Sequence, residues 1–122
     1  MNTSADRATR AAWQQFSLYT VIIMVFLGLF TNLSTIALIA FGGVSIHLPL
    51  TVIIILVNLL VAAGTADGIS DWDAVREDYD EEEKTTRLAQ RFAQTSTTFF
   101  KALLILIFAG TGLAQLYVIY LA

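Results

Sequence analysis

The feature that most constrains this chain is an uncharged stretch from Ala11 to Ala66, which contains no Asp, Glu, Lys or Arg. A single helix of that length would reach ~84 Å, whereas the hydrocarbon core of a bilayer is about 30 Å thick. The stretch must therefore fold back on itself. We predict a transmembrane helical hairpin with spans at about 16–41 and 48–63, joined by a turn over 42–48.

The remainder of the chain divides into a short tail, an acidic loop and a third apolar segment. Residues 1–12 form a polar N-terminal tail, 67–97 an acidic loop with an amphipathic helix, and 98–122 a third transmembrane helix. The chain is 57% hydrophobic and 14% charged, whereas soluble domains carry about 25% charged residues. The predicted fold is an all-α integral membrane protein with three transmembrane helices, the first two of which form the hairpin.

Capping residues predict two helices in the acidic loop. In the acidic loop, Ser70 or Asp71 could cap a short helix, and a second helix is expected to start near Glu82 and run into the third span.

Two arginines precede the first apolar run, as in a secretory signal peptide. That run is far longer than an h-region of about 7–15 residues, and no A-x-A-like site follows it. We therefore expect a first span rather than a cleaved signal.

The distribution of basic residues predicts an orientation. All seven Lys and Arg lie in the tail, in the loop or at Lys101, and none lies in the 42–48 turn or at the C-terminal end. Three spans place the tail and the loop on one side, which the positive-inside rule makes the cytoplasm of a prokaryote or its organellar equivalent. The C-terminus is then outside. Side chains suited to anchor the spans at the interfaces are Trp13, Tyr19, Lys101, Tyr117 and Tyr120.

Polar side chains inside the spans are candidate sites, because they are costly in hydrocarbon. Asn32 and Asn58 both lie about 14 Å from the outer ends of their spans, at 1.5 Å per residue. Their carboxamides could therefore meet, and Gln115 is within reach of the same layer. We interpret the three as interhelical polar contacts. The alternative is a polar substrate or ion site, or the lining of an oligomeric pore.

Small residues predict close helix packing. Gly28, Thr31 and Thr35 share one face of the first span, and Gly110 and Ala114 form a small-xxx-small pair in the third. Such faces let helix backbones approach closely in a membrane. Whether the partner helix belongs to the same chain is left open by the pattern.

Two further candidates are a metal site and a cofactor ligand. Asp78, Asp80 and Glu81 offer hard oxygen ligands for a divalent cation, although the loop lacks the EF-hand pattern. The simpler interpretation of this acidic run is a solvated or partner-facing helix start, and a further alternative is docking on a basic protein surface. His47, the only histidine, is a weak candidate to ligate a haem or chlorophyll-type ring, but no second ligand accompanies it, and the simpler interpretation is an interfacial histidine in a turn.

The motifs of most catalytic classes are missing from the sequence. It contains no cysteine, no Gly-rich phosphate loop, no nucleophile elbow, and no basic patch for nucleic acid. We therefore expect a non-enzyme. No cofactor is implied, although a bound lipid would fit.

The leading functional hypothesis is a non-catalytic accessory subunit that stabilises or assembles a larger membrane complex of the respiratory, photosynthetic or transport type. One alternative is a homo-oligomeric pore or permeabilising protein, lined by Thr31, Asn32, Thr35 and Asn58. A small carrier is a second alternative, weakened by the missing charges.

Overall fold

The chain folds into three long helices and two short ones. The structure, a computed structural model, describes residues 3–94 and 96–122, without the side chains of residues 88, 92 and 93. The helices are α1 (Ser4–Phe41), α2 (His47–Glu77), α3 (Glu81–Lys84), α4 (Arg87–Ala93) and α5 (Thr97–Tyr120). Three of them, α1, α2 extended by the preceding turn, and α5, are long and apolar enough to cross a membrane. The all-α, three-span membrane architecture predicted from the sequence is confirmed.

Helix α1 begins well before the predicted first span. Thr3 and Asp6 form a capping box, in which the Asp6 amide donates to Thr3 Oγ1 at 3.1 Å and the Thr3 amide donates to Asp6 Oδ2 at 3.0 Å. This box satisfies amides that a helix start leaves unpaired. Most of the predicted polar tail is therefore a rigid extension of the first membrane helix.

Helix α2 continues past the predicted end of its span. A 3₁₀ turn at Val44–Ile46 leads into it, and Pro49 sits in its first turn, where a missing amide costs little. Ser70 and Asp71 lie inside α2, so the separate helix that they were expected to cap does not form. Gly64 and Gly68 lie inside α2 and face α1. A Cβ at Gly64 would contact Met24, and one at Gly68 would contact Val21, so the two glycines allow α1 to pack closely here. Tertiary packing at these glycines offsets their low helix propensity.

The connection from α2 to α5 is interrupted, which corrects the prediction of one helix from Glu82 into the third span. Asp80 caps α3, the hydroxyls of Thr85 and Thr86 bond back to the carbonyls of Glu82 and Glu83, and Ser96 caps α5. Such local hydrogen bonds compete with helix continuation.

Helix α2 is the centre of the bundle. It packs against α1 and α5 along much of its length, whereas α1 and α5 meet only over a short stretch. The buried apolar residues include Ile54 and Val61 of α2 and Phe108 of α5. A Cβ on Gly28 of α1 would lie 2.9 Å from Val61 and would also clash with the Phe108 ring, so glycine permits this close approach. The outer faces of the long helices are apolar and suit lipid.

Candidate functional site

The polar centre of the bundle is a hydrogen-bonded group of four buried side chains, Asn32, Thr35, Asn58 and Gln115, here called the carboxamide cluster. Asn32 Nδ2 donates to Asn58 Oδ1 at 2.9 Å, and Asn58 Nδ2 donates to Asn32 Oδ1 at 3.2 Å. Gln115 Nε2 donates to Asn32 Oδ1 at 2.7 Å, and the Thr35 hydroxyl donates to Gln115 Oε1. The cluster joins all three membrane helices.

Asn32 is the hub of this cluster. Besides its contacts with Asn58 and Gln115, its Nδ2 donates to the Gly28 carbonyl at 2.7 Å, so both amide hydrogens and both acceptor lone pairs are used. Asn58 Nδ2 likewise donates to the Ile54 carbonyl at 2.7 Å. A cluster that is satisfied in this way stabilises helix contacts and leaves few polar atoms for a substrate.

The small residues predicted for helix packing divide into two groups. Gly28 and Thr35 are buried inside the bundle and Thr31 is half-buried beside them. Gly110 and Ala114 instead face outwards on α5, and an added Cβ at Gly110 would meet nothing within 4 Å. The glycine of α5 that packs within the chain is Gly112, where a Cβ would lie 3.3 Å from Asn58 Nδ2. The small-xxx-small pair is therefore available to a helix from outside this chain.

A second polar group closes the loop end of the bundle. It consists of Arg7 and Arg10 of α1 with Asp80, Glu82 and Glu83, and is here called the arginine–carboxylate cluster. Arg7 Nε pairs with Asp80 Oδ2 at 2.7 Å, its Nη2 pairs with Glu82 at 2.8 Å, and Arg10 pairs with Glu83 and Asp80. The tail and the loop therefore lie at the same end of the bundle.

Electrostatics in this cluster favour the charged forms. The pKa of Asp80 is lowered, first because the Glu83 amide donates to its carboxylate and then because Arg7 does. Its carboxylate oxygens are almost fully covered, with a side-chain exposure of 3%. The pKa of Arg7 is raised mainly by Asp80, and that of Arg10 mainly by Glu83. These shifts favour the charged forms of Asp80, Arg7 and Arg10.

Two of the three proposed cation ligands pair with basic side chains. Asp80 pairs with the two arginines, and Glu81 lies 3.5 Å from Lys84. Asp78 is exposed just after the end of α2. Within the described part of the chain, no group of three or more His, Asp or Glu residues is arranged to hold a metal ion. The Asp80 carboxylate serves the helix cap and the arginines instead.

Two contacts of the loop end were missed by sequence reasoning. Thr97 Oγ1 donates to Asp73 Oδ2 at 2.6 Å and ties the start of α5 to α2. Tyr79 Oη donates to Gln14 Oε1 at 2.7 Å and ties the end of α2 to α1. Each joins residues that are far apart in the sequence, 24 and 65 positions respectively, so no local spacing marks them as partners.

The remaining candidate residues lie at the surface. His47 is half-buried at the first position of α2, where its carbonyl accepts from Thr51. Tyr120 shares a hydrogen bond of 2.6 Å with the Thr51 hydroxyl. The other expected interface anchors are exposed or half-buried, and they are Trp13, Tyr19, Lys101 and Tyr117.

Comparison with known proteins finds no similarity from which function could be transferred: no family model, curated protein or solved structure matches the chain significantly.

Proposed function

We propose that this protein is a non-catalytic accessory subunit that packs against larger subunits of an integral membrane complex and stabilises their assembly. The observation that carries the proposal is the outward face of α5. Gly110 and Ala114 allow close approach of another helix in the middle of the membrane, yet none of the helices that the structure describes covers them.

The carboxamide cluster supports the same role. The alternative of a homo-oligomeric pore requires Asn32, Thr35 and Asn58 to face a lumen between copies, but these side chains are buried and bond to one another within one chain. A carrier is disfavoured because no Asp, Glu, Lys or Arg lies between Ala11 and Ala66 or after Lys101, and the one histidine, His47, stands at the first position of α2 rather than within the span.

The orientation is also a proposal. Arg7, Arg10 and the basic residues of the loop lie at one end of the bundle. By the positive-inside rule this end is cytoplasmic, with the Val44–Ile46 turn and the C-terminus outside. The acidic loop then presents its exposed carboxylates to cytoplasmic parts of the partner subunits.

The α5 face can be tested by adding bulk to it. Ala114→Leu and Gly110→Leu should reduce co-purification of larger chains in mild detergent, because each side chain prevents close backbone approach. Ala37→Leu, on the exposed surface of α1, is the matched control and should retain the partners. Full retention of the partners by both α5 variants would rule out this face as the docking surface.

A further inference from the structure

A crevice opens between α1 and α5 at the loop end of the bundle, where the two helices separate. Its volume is about 290 Å³, and its walls include Leu18 and Val21 of α1 and Phe100 and Leu104 of α5. Trp72 of α2 forms part of its floor. We call it the interfacial crevice.

The position of the crevice along the membrane normal follows from helix geometry. About 20 residues of helix span the 30 Å hydrocarbon core. Counting that length back from the aromatic end of α5 at Tyr120 reaches Phe100, and counting it forward from Leu48 in α2 reaches Gly68. The crevice therefore lies where acyl chains meet the glycerol and phosphate groups of the loop-side leaflet.

The chemistry of the crevice favours a hydrocarbon chain over a polar ligand. Its two hydroxyl-bearing residues are already hydrogen-bonded: Ser17 Oγ donates to the Trp13 carbonyl at 2.9 Å, and Thr97 Oγ1 donates to Asp73. The surface that remains is aliphatic and aromatic. A flexible acyl chain can fill such a space, and burial of its methylene groups is favourable.

A cation without a counter-ion stands beside the crevice. Lys101 directly follows Phe100 on α5 and is half-buried. Among the described residues, no carboxylate lies within ion-pair distance of its ammonium group, although most basic side chains near this end pair with acids. A long lysine side chain reaches the headgroup layer readily, where a phosphate would supply the missing charge.

We propose that this crevice is a binding site for an anionic phospholipid, with one acyl chain between α1 and α5 and the phosphate on Lys101. An anionic lipid is favoured over a zwitterionic one because only the former brings a net negative charge to this lysine. The site is independent of the proposed accessory role, since it lies between α1 and α5 at the loop end, whereas Gly110 and Ala114 face outwards near the middle of α5.

Native mass spectrometry of the detergent-solubilised protein tests this site. Phosphatidylglycerol and phosphatidylcholine with identical acyl chains are added in turn. The wild type should retain one phosphatidylglycerol molecule about fivefold more strongly than phosphatidylcholine, the factor expected for one charge near a membrane surface. Lys101→Gln should remove the preference, and Leu18→Trp should weaken retention of both lipids by filling the crevice.

Matched controls separate this site from general lipid contact. Lys84→Gln changes the other lysine, which lies in the loop beside Glu81, and Leu33→Trp adds the same bulk to an exposed part of α1. Both should bind as the wild type does. Equal retention of the two lipids by the wild type would overturn the proposal, as would a Leu18→Trp variant that binds normally or a Leu33→Trp variant that loses lipid equally.

Fluorescence gives a second test in a variant with an intact crevice. Trp13→Phe leaves Trp72, in the crevice floor, as the only tryptophan. Phosphatidylglycerol with brominated acyl chains should quench Trp72 at a lower mole fraction than the brominated phosphatidylcholine. Identical quenching curves for the two lipids would contradict the proposal.

Discussion

At the scale of single residues, the bundle depends on polar groups that hydrocarbon forces into contact. Asn32 uses its whole hydrogen-bonding capacity, and two of its partners, Asn58 and Gln115, come from the other two membrane helices. Each interhelical hydrogen bond in a membrane contributes about 0.6–2 kcal/mol. Removing one partner leaves the others unsatisfied, which costs more than the lost bond alone.

We expect Asn58→Leu to destabilise the bundle by about 1–3 kcal/mol. The substitution removes both hydrogen bonds between Asn58 and Asn32 and leaves the buried Asn32 carboxamide only partly hydrogen-bonded. Unfolding in detergent, followed by circular dichroism, measures the change. Ser34→Leu is the control, because the Ser34 hydroxyl is exposed and bonds only within its own helix, to the Phe30 carbonyl at 2.8 Å. If Asn58→Leu unfolds at the same denaturant concentration as the wild type, the carboxamide cluster does not stabilise the fold.

The depth of the cluster could be predicted from the sequence, but its connectivity could not. Helix rise is constant, so counting residues from the span ends brought Asn32 and Asn58 to one level. The bonds from Gln115 to Asn32 and from Thr35 to Gln115 depend on the rotation of each helix about its axis. The uncharged stretch does not specify these rotations, because its apolar residues surround each helix almost evenly.

At the scale of elements, the arginine–carboxylate cluster fixes the tail extension of α1 to the loop. The hydrogen bonds from its two arginines join positions 70 or more residues apart, such as Arg7 and Asp80. All acids of the chain other than Asp6 lie between Asp67 and Glu83, so the sequence offers many possible partners for two arginines. The structure selects Asp80, three residues after the end of α2 at Glu77, which pairs with both arginines.

Acid titration should reveal this cluster. Because the folded pKa of Asp80 lies below its ordinary value of 3.8, its contribution to stability is complete above that pH and is lost as the pH falls through the folded pKa. Asp80→Asn keeps a side chain that can cap α3 but removes the charge. We expect it to lower the melting temperature at pH 7 and to flatten the loss of stability below pH 3.8.

The control for this titration is Asp78→Asn, which changes an exposed neighbour of the same type. It should melt close to the wild type over the whole pH range. If Asp80→Asn and Asp78→Asn have the same melting temperatures as the wild type at neutral and acid pH, the cluster contributes nothing to stability.

At the scale of the whole molecule, three antiparallel spans place the loop between α2 and α5 at the same end of the bundle as the start of α1. The chain contains no cysteine, so single cysteines report sidedness without background. Thr85→Cys in the loop should be labelled by an impermeant thiol reagent only from the cytoplasmic side, and Ser45→Cys in the turn only from the opposite side. Labelling of both from one side would contradict three spans, and reversal of both would contradict the orientation.

The outer surface of the bundle is consistent with the proposed accessory role. The polar groups of the spans are largely satisfied inside the chain, while the small residues Gly110 and Ala114 face outwards. The membrane surface of the protein is thus built for contact with apolar neighbours. Those neighbours are lipids over most of the surface and, on our proposal, a helix of a larger subunit at α5.

Native mass spectrometry of the wild-type protein, extracted from its own membrane in mild detergent, tests the accessory role most directly. The proposal predicts that the chain is found in a fixed ratio with larger, unrelated membrane subunits. A stable homo-oligomer that contains no other subunit would contradict it.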